Sequence, residues 1–132
     1  MRILTVRQPY ASCIIHRCKA VENRSRSTPY RGIVLILSST KLFTDERAQE
    51  AAHRCFGNAD YIDDREHYPR GGIIGVAELH DVVTEDPSWW FTGPFGYLLR
   101  KAKSIPFIRC DGYQQAVVEP SPSIKAKVQK HI

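Results

Sequence analysis

Apolar residues in this chain fall into short runs with two different periods, and the change of period marks the elements. Residues 2–6 form a β-rich run that stops at Gln8-Pro9. Pro9 suits the first turn of a helix, where a missing N–H leaves no bond unmade. Ala11, Ile14, Ile15 and Cys18 recur at helical spacing, which predicts an amphipathic helix with a narrow buried stripe. Lys19 follows, where a cation complements the helix dipole. Residues 21–24 read as a short strand and 25–29 as a polar loop. Gly32 opens the continuous apolar run Ile33-Val34-Leu35-Ile36-Leu37, expected to be a central strand.

Thr44 reads as the cap of a second helix, with Asp45 and Glu46 in its first turn. Ala48, Ala51, Ala52 and Cys55 line one face, and Gly57 supplies the stop. The acidic segment 58–68 is expected to be a mobile loop. Gly71-Gly72 introduces a strand over 73–83 with a bulge at Gly75. Residues 86–96 hold two prolines, two glycines and two tryptophans, which predicts a structured aromatic loop. Three further strands are expected over 97–99, 105–108 and 113–118, separated by Lys-rich and Asp111-Gly112 turns. From Glu119 the chain is basic and Pro-containing and reads as a peripheral tail. About six strands with two helices predict a mixed α+β fold built on a small, curved or barrel-like sheet.

Composition narrows the class. At 132 residues, with 42% hydrophobic and 25% charged, the chain is one domain with a real core, which excludes wholesale disorder. No apolar run approaches a membrane span and no signal peptide precedes the first strand, so a soluble, cytoplasmic protein is expected. The net charge of +5 conceals segregation. Residues 1–41 carry eight bases and one acid, residues 42–99 four bases and eleven acids, and residues 100–132 seven bases and two acids. The two cationic ends are therefore expected to meet on one basic face that attracts phosphate. Cys13, Cys18, Cys55 and Cys110 show no Cys-x-x-Cys pair, and no histidine pair has zinc spacing. They read as buried thiols of a reduced compartment, with neither metal nor cofactor expected.

Candidate chemistry concentrates near the N-terminus, in Arg7-Gln8-Pro9-Tyr10 and Lys19-Ala-Val-Glu22-Asn23-Arg24. Glu22 is the sole acid of the first 41 residues, so it stays ionised and orients a neighbouring cation. Lys19 beside it suits phosphate binding or, if desolvated, base catalysis; the plainer alternative is a surface ion pair worth ~0–1 kcal/mol. Glu78 follows Ile74 and Val76 on one strand face and calls for a cation from the N-terminal block, or else marks where that face meets solvent. Trp89-Trp90-Phe91 and Tyr97 either close the core or leave one aromatic ring to stack on a ligand. A dinucleotide loop and a Ser-His-acid triad both lack support.

These segments, with Tyr30-Arg31-Gly32, Gly72-Ile-Ile-Gly75-Val-Ala-Glu78-Leu, Trp90-Phe-x-Gly93-Pro-Phe-Gly96-Tyr97 and Ile105-Pro106-Phe107, resemble in order the ASCH (activating-signal-cointegrator homology) domains. The resemblance covers residues 1–118, leaving 119–132 as the tail. It implies a PUA-like β-barrel with flanking helices and a ligand cleft. Carried over, it nominates Arg7, Gln8, Lys19, Glu22, Arg24, Ser39 and Glu78, with Trp90 or Tyr97 at the rim, and RNA or a modified nucleotide as partner. Some relatives are hydrolases: one removes acetyl from N4-acetylcytidine, and another is a ribonuclease. The amidohydrolase motif is Lys-x-x-Thr; here Lys19 matches but Glu22 stands in the threonine's place, so Lys19 and Glu22 would have to carry any catalysis without that hydroxyl. Arg26 replaces the tryptophan many members carry after Asn-Arg-Ser, making this loop more basic.

Overall fold

A computed structural model describes residues 1–60, 62–111 and 117–132. The elements run β1 (Arg2–Gln8), α1 (Tyr10–Ile15), β2 (Val21–Arg24), β3 (Gly32–Leu42), α2 (Glu46–Phe56), β4 (Gly72–Val83), β5 (Phe95–Arg109) and α3 (Pro122–Gln129). The strands form one five-stranded sheet in the order β1-β3-β4-β5-β2. β1 runs parallel to β3, and the remaining pairs are antiparallel. The mixed α+β class is as expected, but the sheet does not close into a barrel. Most of the strand expected over 113–118 lies outside the described residues; Val118 makes one antiparallel bridge to Ile3.

Alternation explains the uninterrupted apolar run of β3, because both faces of the sheet are covered. Leu4, Val6, Val34 and Ile36 pack with Ala11, Ile14 and Ile15 of α1 on one face. Ile3, Leu35 and Leu37 pack on the other with Ile73, Val76, Ile108 and Val128 of α3. The basic C-terminal segment thus contains a helix, capped by Ser121 and started by Pro122, whose Val128 is fully buried. β4 and β5 slip register beside Gly75, as the glycine suggested.

Four local expectations need correction. α1 stops at Ile15 and buries Ser12 and Cys13 as well as its apolar stripe, because it lies between the sheet and α2. The N-cap of α2 is Asp45, not Thr44. β5 is one continuous strand where two were expected, its Lys-rich stretch accommodated by Lys101 at φ 55°. The acidic segment, apart from Tyr61, is anchored where Ile62 and Tyr68 pack on Ala48 and Ala52. The cysteine reading is also overturned: Cys18 and Cys55, 37 positions apart, form a disulfide, while Cys13 and Cys110 remain buried thiols.

Candidate functional site

A cleft of about 780 Å³ opens where the parallel strands β1 and β3 end, and β2 and the aromatic loop complete its wall. Gln8 fixes the turn from β1 into α1. Its buried amide donates to Ser12 Oγ and the Pro69 carbonyl (2.8 and 2.9 Å) and accepts from Ser12 N (2.9 Å). Gln8 is therefore a supporting group behind the cleft and does not line it. The turn sends Arg7 and Tyr10 to the cleft wall, with the Arg7 guanidinium 4.9 Å from the Phe43 ring centroid.

The chain leaving α1 bends back so that Lys19 projects into the floor, only 3% exposed. Its ammonium donates to the Val21 carbonyl and lies 3.5 Å from Glu22 Oε1. The Tyr10 and Trp90 ring centroids sit 5.4 and 5.3 Å away, within cation–π range. Burial pulls the Lys19 pKa below its ordinary value, and the Glu22 carboxylate opposes that pull. Burial also pushes the Tyr10 hydroxyl up to about 12, with Asp45 adding to the effect. Arg24 Nη2 lies 3.2 Å from Glu22 Oε2 and donates to the Thr5 carbonyl. One carboxylate thus holds two cations on adjacent walls, which makes the Lys19–Glu22 pair largely buried and not the surface pair of the plainer reading.

Trp90 is the cleft-lining aromatic of its loop, and Trp89 is not. The Arg47 and Arg54 guanidinium carbons of α2 each stand 4.0 Å from the Trp89 ring centroid, and Arg47 donates to the Trp89 carbonyl. Trp89 then meets Trp90 edge-on at 4.8 Å. From the opposite wall Asn23 donates to the Trp90 carbonyl and accepts from Thr92 N (both 2.8 Å). The aromatic segment is a pinned wall, held from β2 and from α2.

Of the residues nominated from sequence, the cleft assembles Arg7, Lys19, Glu22, Arg24, Ser39 and Trp90. Gln8, Glu78 and Tyr97 are not among its lining residues. Tyr97 is 1% exposed and donates its hydroxyl to the Arg26 carbonyl (2.7 Å), so it is a core residue. Glu78 lies on β4, and its partners are Arg100 at 2.8 Å and Lys101 at 3.5 Å, from the C-terminal block and not the N-terminal one. The hydrogen bond from Arg100 leads the effects holding its carboxyl below the usual range. The cationic ends therefore do not converge on one cavity. The cleft takes Arg7, Lys19, Arg24, Lys41 and Arg47, and among the described residues none beyond Thr92 lines it. Tyr10, Lys41, Phe43 and Arg47 were not nominated. Tyr10 adjoins the Arg7-Gln8 motif and was within reach, whereas Arg47 lies on the second helix, far along the chain from that motif. Among the described residues no cluster of His, Cys, Asp and Glu suits a metal, and no helix is long and apolar enough to cross a membrane.

The mixed five-stranded sheet with its flanking helices is of the PUA-like class, a fold linked to RNA binding. The ASCH domain model matches residues 4–103, and the chain belongs to the ASCH domain family. Human activating signal cointegrator 1 is 30% identical over 118 residues, which is 88% of this chain and 20% of that protein. Its mouse counterpart is 28% identical over the same shares, so the chain spans only a fifth of these curated relatives' length. The crystal structure of ASCH from Zymomonas mobilis superposes with a TM-score of 0.60 at 16% identity, over 98% of this chain and 94% of that one. A point mutant of the same bacterial protein gives 0.60 at 17% identity, over 98% and 96%. These structures share the fold.

Proposed function

We propose that the cleft binds single-stranded RNA or a modified nucleotide. The observation that carries this reading is the lining itself: five cations against one carboxylate, with Tyr10, Phe43 and Trp90 offering ring faces. Unstacked bases stack on such rings, while cations at the rim meet phosphates. Arg7 and Lys41 are exposed and Arg47 is half-buried, so these three take the backbone. Lys19, Glu22 and Arg24, deeper in, meet the base or sugar. The test is a Trp-fluorescence titration with short RNA at about 50 mM and about 200 mM salt. Three phosphate contacts at roughly 0.7 each give a log–log slope near −2, or about a 15-fold loss of affinity across that interval. Arg7→Ala or Lys41→Ala should each flatten the slope by about 0.7. Absent binding, or binding indifferent to salt, defeats the proposal.

A hydrolase acting on a modified nucleoside or on RNA is the second reading, favoured by one observation: an amine 3% exposed, with its proton loosened by burial, facing a cleft of nucleotide size. Such a group suits base chemistry, with Glu22 as its partner. Incubation of N4-acetylcytidine and of RNA with wild type and Lys19→Met tests it. Turnover by wild type that falls at least ~100-fold in the variant supports catalysis by Lys19. Equal turnover by the two proteins removes Lys19 from that role.

A further inference from the structure

The Cys18–Cys55 bond lies in an unusual place relative to the cleft. Cys18 directly precedes Lys19, the amine of the cleft floor, and Cys55 directly follows Arg54, which stacks on Trp89. Contacts complete the circuit: Trp89 meets Trp90 edge-on, and Trp90 lies over the Lys19 ammonium. The disulfide is thus the covalent link in a closed ring through Lys19, Trp90, Trp89 and Arg54. It ties the segment carrying the floor to the helix holding the aromatic wall. Beside the disulfide, α1 and α2 meet where Tyr10 packs on the cluster of Ala48 and Ala52, where His16 meets Phe56 edge-on at 5.1 Å, and through a long 3.9 Å contact from Cys13 Sγ to the Ala51 carbonyl.

Access separates this pair from the other sulfurs. Cys18 and Cys55 are half-buried, whereas Cys13 and Cys110 are buried. Burial raises the Cys13 thiol to about 12, which keeps it from competing as a thiolate. A small thiol reagent therefore finds one target.

We propose that the Cys18–Cys55 pair is a thiol–disulfide switch that sets the cleft's aromatic wall against its Lys19 floor, so that the oxidised form holds ligand and the reduced form releases it. This rests on the nucleotide-binding reading for the ligand, although the coupling of disulfide to wall does not. The reaction balances simply. Two electrons and two protons from a dithiol reductant turn the Cys18–Cys55 bond into two thiols, and the reductant closes to its own disulfide. Once the tie is cut, the segment after α1 is held to α2 by non-covalent contacts, the edge-on pair of His16 and Phe56 among them, and Lys19 is freer to shift against the aromatic wall.

Both tryptophans of the chain belong to this wall, so tryptophan emission in the absence of ligand reports its state. The experiment compares oxidised protein, protein reduced with dithiothreitol, and the Cys18→Ser/Cys55→Ser variant. Tryptophan emission, far-UV circular dichroism and affinity for a labelled oligouridine are read on each. Reduction should shift the emission, leave the dichroism unchanged and weaken oligouridine at least ~5-fold, the low end for coupled sites. The variant should resemble reduced wild type and ignore dithiothreitol. An unmoved emission overturns the proposal. So does a shift with unchanged affinity, or a reduced protein that loses its sheet signal, which would make the bond a structural staple. If oligouridine binds neither form while emission still shifts under an intact sheet, the nucleotide reading falls and the coupling stands.

Discussion

Glu22→Ala should destabilise the domain by about 3 kcal/mol at neutral pH, measured as a lower urea midpoint with an unchanged m-value. The Glu22 side chain is 13% exposed, that of Lys19 2% and that of Arg24 19%, so all three charges sit in poor solvent. Without the carboxylate, the Lys19 ammonium keeps the Val21 carbonyl and two ring faces, and Arg24 keeps the Thr5 carbonyl. Among the described residues Arg24 Nε already lacks a hydrogen-bond partner, so the site has no reserve acceptor to offer it. The loss is that of an uncompensated buried charge, which exceeds the worth of the pair itself.

The pH dependence separates the two cations. Burial already holds the Lys19 pKa below the unfolded value, and Glu22 is the leading group that raises it. In the variant it falls further. Between that folded value and the ordinary lysine range the unfolded chain binds more protons, so stability rises with pH. Wild type follows the same sign over a narrower window. The gap between the two proteins should therefore shrink from about pH 7 to about pH 9.5, as Lys19 sheds its proton at no cost. Tyr10, Tyr68 and Cys13, each raised to about 12 chiefly by burial, pull the other way in both proteins and largely cancel in the difference. A gap that stays constant would place the loss on Arg24 and not on Lys19.

Why some of this was legible in the sequence and some was not follows from the range of the signals. β2 and the apolar run of β3 were readable because strand propensity and two-sided burial act on adjacent residues. The lysines of β5 misled because they were read as a turn, while the backbone needed only one residue of positive φ at Lys101 to continue the strand. α3 had its marks in the chain, a Ser cap followed by Pro at the first helical position, but its basic composition read as a tail. The site was half legible. Arg7, Lys19, Glu22 and Arg24 lie on one short stretch of chain, whereas Arg47 reaches the cleft only because α2 folds back across α1. Tyr97 came to the rim from the family resemblance, as the alternative to Trp90, and nothing local in the sequence shows that its ring turns into the core. The Cys18–Cys55 bond was invisible for a related reason: a pair 37 positions apart has no local pattern, and only the packing of α1 on α2 brings the two together.

The packing of α1 on the sheet supplies the second large expected effect. Gly75→Ala should cost about 3 kcal/mol, the upper end for overpacking. A methyl group there would sit 2.4 Å from the Lys103 carbonyl and 2.4 Å from Ile15 Cδ1. Ile15 could turn aside, but the carbonyl belongs to the neighbouring strand at the point where β4 and β5 change register. Relief on that side means moving β5, and relief on the other means lifting α1 from the sheet. Gly57→Ala is the control. Its Cβ would meet nothing within 4 Å, so only the left-handed backbone at φ 84° resists, at about 1 kcal/mol. Equal losses in the two variants, read from urea midpoints, would mean that the close approach of α1 to β4 does not matter. A much larger loss at Gly75, together with weaker oligouridine binding, ties that approach to the cleft: α1 carries Tyr10 on its first turn, and the chain after its last turn delivers Lys19 to the floor.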